Sequence, residues 1–356
     1  MISGSAAANH YGYSSARVKV MQSVLISKKA MQDIVNAKDA SAIISILFHG
    51  EYKPDLEEFG GLEIKGELVD FALSKNLAKS VGKLVRIAPY TDKKMMRAIV
   101  GKWNLYNAKM AIEAKDRKMP YESIARYLID YGRYDSAFVK EAMKEDSVEG
   151  LIGKFMINSP YRSILSEGLE AYRKTRSGAD AVAAIDMQYY MGLGGIITKL
   201  RFIDNNSARI MKMDIDLKNV IHLVKAKRLG LKFSDVSHAI IPGGNLPVHE
   251  LEQAYSGADS VDAFALQVKG YDLKPAADAY KEGGRRQLLL FEIGMRNAIF
   301  ESSKRLLNHS ILSFGAMLAY AYMKEIESFT LRVLINSKLY GLAKEDVQRL
   351  IIWKNE

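Results

Sequence analysis

Apolar residues recur at helical rather than strand spacing along most of the chain. Val220, Leu223 and Val224 fall on one stripe and Val236, Ile240 and Ile241 on the next, at the i, i+3, i+4 steps of an amphipathic helix. Strict period-2 alternation is hard to find anywhere, and proline is confined to positions 54, 89, 120, 160, 242, 247 and 275. Because proline breaks helix interiors, its absence beyond Pro275 favours long helices there. The pattern predicts an all-α fold. Between the two stripes, Arg228-Leu-Gly230-Leu-Lys-Phe-Ser234-Asp235 reads as the turn of an αα-hairpin. Gly230 suits a left-handed position closing the first helix, and Ser234 or Asp235 can cap the second.

This hairpin recurs. Subtracting 112 from its residue numbers, or adding 111, lands on two further segments with matching columns. Asn104, Asp216 and Glu327 share a column; so do Asn107, Asn219 and Thr330, then Lys115, Lys227 and Lys338, then Ile124, Val236 and Val347. Leu128-Ile129, Ile240-Ile241 and Ile351-Ile352 close the unit, and the apolar stripe returns as Ala108, Ala111, Ile112 and as Leu331, Leu334, Ile335. Looser echoes share the period. Asp146-Ser147-Val148 returns as Asp259-Ser260-Val261, with Asp39-Ala40-Ser41 before an apolar helix in the same way, its small polar residue placed as an N-cap. An apolar-acid pair recurs as Val69-Asp70, Ile185-Asp186 and Phe291-Glu292. A period this long exceeds the 20 to 50 residues of solenoids, so each copy is domain-sized. The expected organisation is a flexible tail at 1–10 and three helical repeats at 11–122, 123–235 and 236–356.

Composition narrows the class further. In 356 residues, 48% hydrophobic content supplies ample core, and 26% charged residues with 7 Pro fit neither a disordered nor a fibrous chain. Without cysteine there is no disulfide, thiol nucleophile or Cys-ligated metal, which suits a reducing compartment. No signal-peptide core follows the amino terminus, and the longest uncharged stretch, between Arg305 and Lys324, carries Asn308, His309, Ser310 and Ser313. It reads as a buried, small-residue-rich helix rather than a membrane span, and the chain as soluble. Net charge is +10, enough to raise the question of an anionic partner. The densest basic groups, Lys115-Asp116-Arg117-Lys118 and Lys225-Ala226-Lys227-Arg228, are short and sit at expected helix ends, where cations complement the helix dipole.

No catalytic constellation survives inspection. The six histidines show neither HExxH nor HxH spacing, so no metal site is expected. Gly61-Leu-Glu-Ile-Lys-Gly66-Glu67 has P-loop spacing up to its second glycine, but Glu stands where Lys would reach a phosphate. Gly192-Leu-Gly194-Gly195 lacks the final glycine of a dinucleotide fingerprint and reads as close helix packing or a bend. Asp216 and Asn219 share a helix face, yet their columns vary across the copies, so hydrogen bonding to the adjoining turn or helix is favoured over an ionisable site. Aromatic residues fall in helical stripes and read as packing. No catalytic residue, cofactor site or metal site is assigned.

The repeating residues also carry a resemblance. Tyr13-Ser-Ser-Ala16-Arg17-Val-Lys-Val with Leu25-Ile26-Ser27, the three hairpins, Ile241-Pro242-Gly243-Gly244-Asn245-Leu246 and Ala319-Tyr-Ala-Tyr322-Met-Lys-Glu325-Ile-Glu327 resemble the C-type stalk protein of archaeal and bacterial V/A-type ATP synthases, counterpart of the d-type protein of vacuolar ATPases. The likeness spans about Tyr11 to Trp353, with Thr330 where the family usually has Asn and Asn104 where an acid is common. It implies a funnel-shaped protein of three similar helical domains around a pseudo-threefold axis. Such a protein is a non-catalytic part of the central stalk, peripheral on the cytoplasmic face of the membrane. Its implied partners are the stalk subunits of the soluble head and the membrane rotor ring, between which it passes rotation. Basic surface, with Lys225, Lys227 and Arg228 as the candidate stalk contact, would favour an acidic stalk foot and tolerate anionic lipid head groups. The competing reading, a helical-repeat nucleic-acid binder, rests on charge alone; no nucleic-acid partner is expected.

Overall fold

The computed structural model describes residues 4–61, 68–282, 287–342, 347 and 350. Among these residues there are helices and turns but no strand, and the fold is all-α. The chain forms two compact units, Lys19–Leu193 and Met1–Val18 with Gly194–Glu356. The helix α1 (Gly4–Ser23) crosses the first division. Residues 4–10, expected as a tail, are therefore helical, as Ala6-Ala7-Ala8 favours.

Within Lys19–Leu193 the helices run α2 (Lys28–Asn36), α3 (Ala40–Phe48), α4 (Lys53–Glu58), α5 (Val69–Ile87), α6 (Lys93–Asp116), α7 (Glu122–Ala125), α8 (Ser136–Ala142), α9 (Val148–Met156), α10 (Arg162–Thr175) and α11 (Gly178–Gly192). The long α6 is the spine, packed by α5, α9 and α11, and it buries Ile99, Val100, Leu105, Ala108, Ala111 and Ile112. Tyr134, Phe138 and Phe155 stack beside it, and the buried Tyr134 hydroxyl donates to Phe155 O (2.7 Å). Tyr134 and Phe155 are core, as expected of the aromatic stripes, whereas Tyr13, Tyr90, Phe202 and Tyr340 are exposed.

The Gly194–Glu356 portion contains α12 (Gly194–Ile203), α13 (Asn205–Arg228), α14 (Phe233–Val236), α15 (Val248–Ser256), α16 (Val261–Gln267), α17 (Lys274–Lys281), α18 (Gln287–His309) and α19 (Phe314–Leu339). Here α18 packs against both α13 and α19. The uncharged stretch expected to be one buried helix is so only from Phe314 to Met323, all buried in α19; its first part is the last turn of α18 and a loop at 310–313 in which Ile311 and Leu312 are exposed. No helix among the described residues is long and apolar enough to cross a membrane.

The capping echoes hold with one shift. Ser147 accepts from Gly150 N (3.0 Å) and Ser260 from Ala263 N (3.3 Å), but in the first copy the cap is Asp39, accepting from Ala42 N (2.8 Å), while Ser41 lies inside the first turn of α3. The acids of the second echo are each paired with a cation: Asp70 with Arg126 (3.9 Å), Asp186 with Lys109, and Glu292 with Arg296 (2.8 Å).

Two expectations are corrected. The second arm of the hairpin is no continuous helix: α14 stops at Val236, a short 3₁₀ turn follows, and Ile240 and Ile241 are buried in extended or irregular backbone. Pro242 disfavours helix at the residue before it, and the Asn219 amide holds the main chain of Ile241 instead. The cap of α14 is likewise different: Asp235 sits at the third helical position and accepts from Lys232 N (3.1 Å). Of the two readings of Gly192, Gly194 and Gly195, close packing is excluded, since a Cβ at any of them would meet nothing within 4 Å. They flank Leu193, the turn residue at which α11 ends and after which α12 begins. The P-loop-like segment beyond Gly61, and Ile351, Ile352 and Trp353, lie outside the described residues.

Candidate coupling surface

The repeated columns are built into three helix ends of one design. At the carboxyl end of α6, α13 and α19 the chain takes a left-handed residue in the same column: Lys118 (φ 54°), Gly230 (φ 72°) and Gly341 (φ 65°). The next residue in each case donates back to the helix: Met119 N to Ala114 O (2.7 Å), Leu231 N to Ala226 O (3.1 Å) and Leu342 N to Ser337 O (3.0 Å). With the neighbouring bonds from Lys118, Gly230 and Gly341, these are three Schellman motifs.

Behind each of the first two ends, polar side chains of the long helix tie down the segment that follows. Asn107 donates through Nδ2 to Ile129 O (2.8 Å) and Tyr134 O (2.6 Å) and accepts at Oδ1 from Ile129 N (3.0 Å). Asn219 repeats the two bonds on Ile241, both 2.8 Å. Asn104 Oδ1 accepts from Arg133 N (2.8 Å) and Tyr134 N (3.3 Å), and the Asp216 carboxylate accepts from Asn245 N (3.1 Å) and Leu246 N (3.0 Å). Only Asp216 is ionisable here. Burial pushes its pKa up, and the Tyr271 hydroxyl donating at 2.6 Å, with the Leu246 and Asn245 bonds, works against that rise. Burial and the Asp216 charge push Tyr271 strongly upward in turn, so it stays a neutral donor.

The third copy uses the same columns differently. Thr330 donates to Ile326 O (2.8 Å) within its own helix, and Glu327 accepts from Lys324 at 2.6 Å. A hydroxyl cannot reproduce the paired donor and acceptor of an amide, and back-bonding to i−4 is the usual helical alternative for Thr.

The lysine column separates the candidate contacts. Lys115 Nζ donates to Met143 O (3.1 Å); Lys227 Nζ donates to Tyr255 O (2.6 Å) and Ala258 O (2.8 Å) and lies 4.0 Å from the Tyr255 ring centre. Met143 and Tyr255 share a column, so each lysine pins the same neighbouring helix end. Lys338 is half-buried in the last turn of α19. Of the proposed stalk-contact residues, Lys227 is therefore occupied inside the fold, whereas Lys225 and Arg228 stand exposed beside it. Beside the first hairpin lies an open cleft of about 780 Å³ lined by Lys115, Lys118, Tyr121, Lys140, Lys144 and Tyr172, a feature spread over five helices and illegible in the sequence. Among the described residues no group of three or more His, Asp or Glu side chains is placed to hold a metal.

In the first two copies the polar groups of this signature are spent mainly on the protein's own main chain, an arrangement that stiffens helix ends. A sequence profile described as ATP synthase (C/AC39) subunit matches residues 14–350. The chain belongs to that family. Members of the C/AC39 family are non-catalytic, and this chain is one of them. Among its relatives, the C protein of the A-type ATP synthase of Archaeoglobus fulgidus is 29% identical over 350 residues, covering 96% of either chain. The protein of that name from Thermoplasma acidophilum is 24% identical over 95% of this chain and 97% of its own, and that from Methanosarcina barkeri 24% over 97% and 93%. The C/AC39 resemblance read from the hairpins and from the segments around Tyr13, Ile241 and Ala319 is thus correct along nearly the whole chain.

Proposed function

We propose that this member of the C/AC39 family is the adaptor through which rotation passes between the stalk of the soluble catalytic head and the ion-translocating rotor ring, held peripherally on the cytoplasmic face of the membrane. The observation that carries the reading is the end-to-end match to the C protein of A-type ATP synthases, 96% of both chains in the Archaeoglobus case. Locked helix ends suit such a part, because torque is transmitted only by elements that do not unwind under load. In this reading the chain comprises three modules, 11–122, 123–235 and 236–356, and its stalk contact includes the exposed Lys225 and Arg228, which favour an acidic partner surface.

Co-purification from native membranes tests it. Stalk and ring subunits should be recovered with the tagged chain, and their absence, together with salt-sensitive nucleic-acid binding, would reverse the assignment. Lys225→Glu with Arg228→Glu should weaken capture of stalk subunits; unchanged capture removes these two residues from the contact without touching the family membership.

A further inference from the structure

At the end of the Gly194–Glu356 portion opposite Arg228, the fold leaves large apolar side chains in water. Phe202, in the last turn of α12, is 86% exposed, and Ile203, Ile311 and Leu312 are exposed as well. Single exposed apolar residues occur elsewhere on this surface, but here four lie on two neighbouring loops. The two loops that carry it meet: a Cβ added at Gly315, in the first turn of α19, would fall 2.7 Å from Ser207 Oγ and 3.1 Å from Leu306 Cδ1. Phe202 lies five residues before Ser207 and Leu312 three before Gly315, so the two loops lie at one end of this portion, within chain reaches of at most about 17 Å and about 10 Å of that contact.

Around the tip the charge has one sign. Lys199 and Arg201 on α12, and Lys304 and Arg305 on α18, are exposed and form no ion pair with a described residue. Between residues 194 and 212 the only acid is Asp204, and it is occupied as the cap of α13, accepting from Asn206 N (3.1 Å) and Ser207 Oγ (2.7 Å). Between 302 and 323 there is none; the half-buried Glu301 lies a turn further from the tip. In the other unit Tyr90, in the 3₁₀ turn before α6, is 91% exposed as well.

Apolar anchors set in a basic surround match one kind of surface: the boundary of a bilayer rich in anionic lipid, where side chains sink among the acyl chains and cations meet the head groups. A protein face bearing acids alone would satisfy the cations but leave Phe202 and Ile203 in water. We propose that this tip, Phe202, Ile203, Ile311 and Leu312 with Lys199, Arg201, Lys304 and Arg305, inserts into the head-group region of an anionic membrane. The contact is with lipid itself and goes beyond the coupling role, since it needs neither stalk nor ring.

Vesicle binding of the full-length chain tests it. Because the sequence has no cysteine, Phe202→Cys provides a single site for a polarity-sensitive maleimide dye. Phosphatidylcholine vesicles containing phosphatidylglycerol should sediment the protein and shift the dye emission to the blue, whereas pure phosphatidylcholine should do neither. Phe202→Ser with Leu312→Ser, and separately Arg201→Glu with Lys304→Glu, should each lower affinity at least tenfold while circular dichroism shows the helices intact. Leu229→Ser is the control: that residue is 74% exposed but at the far end of the 24-residue α13, about 36 Å away, and should change nothing. No preference for anionic vesicles, tip variants that bind like the parent, or loss of binding in the Leu229 control would each overturn the proposal. Tip variants that keep vesicle binding but lose the rotor ring on co-purification would also overturn it, by showing a protein-docking face. Failure of the parent chain to bind anionic vesicles, with its co-purification of stalk and ring intact, would refute lipid insertion alone and leave the adaptor reading standing.

Discussion

A Cβ on Gly244 would stand inside the carboxylate of Asp216, and one on Gly132 would overlap the Asn104 amide in the same way. Each glycine closes the loop that the signature residue of its column ties down, so the side chain and the missing Cβ are one feature. Gly244→Ala should therefore cost about 2–4 kcal/mol, combining overpacking with the disturbance of buried hydrogen bonds to Asn245 and Leu246. Gly195→Ala, in a helix with open space around it, should be neutral or stabilising by up to about 1 kcal/mol. Denaturant midpoints of the two variants decide; equal midpoints would show that the Asp216 loop has room to shift.

The raised pKa of Asp216 carries a sign. Its ordinary value is 3.8 and burial lifts it in the folded chain, so the folded state holds the proton more tightly than the unfolded one. Stability from this group is complete below the ordinary value and is lost as pH rises through the folded one. Asp216→Asn removes the titration and copies the arrangement of Asn104, whose single Oδ1 accepts both main-chain N–H groups. The variant should fold, and the parent's stability relative to it should decline as pH rises above the ordinary value of 3.8 and through the raised folded one. A difference that stays flat, or a parent that gains on the variant with rising pH, would contradict the assigned cause.

How legible this was depends on range. The turn at Gly230 was written locally, because a left-handed residue after a helix is a requirement on one position, and the caps at Ser147 and Ser260 were legible for the same reason. The second arm was misread because Val236, Ile240 and Ile241 keep helical spacing, while the Asn219 bonds that hold the backbone out of a helix come from 22 residues away. Repetition then supplied what periodicity could not. The varying Asn, Asp and Glu of one column argued for hydrogen bonding over chemistry; in two copies the bonds tie down the following segment, and the substitution at Thr330 marked the copy in which they stay within the long helix. The exposure of Phe202 had no sequence signal, since an apolar residue near a helix end reads the same whether covered or bare.

Lys227 and its neighbours should part company when tested. Lys227→Ala removes two hydrogen bonds from an ammonium to main-chain carbonyls and its place over the Tyr255 ring, and should destabilise by about 2–3 kcal/mol. Lys225→Glu and Arg228→Glu, both exposed, should stay within about 0.5 kcal/mol of the parent. Thermal melts of the three variants check this. A large loss at Arg228 would mean that it, too, serves the fold, and its use as a probe of the stalk contact would fall.

Lys118 is the exception among the three helix ends. Gly230 and Gly341 take the left-handed conformation without a Cβ, but Lys118 holds φ 54° with one, at a cost of roughly 1–2 kcal/mol for an L-residue. Glycine there would also loosen the unfolded chain, by about 0.4–1 kcal/mol. The balance predicts that Lys118→Gly stabilises the Lys19–Leu193 unit by about 0.5–1 kcal/mol. The bond from Met119 N to Ala114 O, 2.7 Å in length, should remain, since it depends on the turn and not on the side chain. Chemical denaturation gives the first quantity and amide exchange at Met119 the second. Destabilisation with faster exchange would mean that the Lys118 side chain, which lines the basic cleft, contributes more to that helix end than its conformation costs.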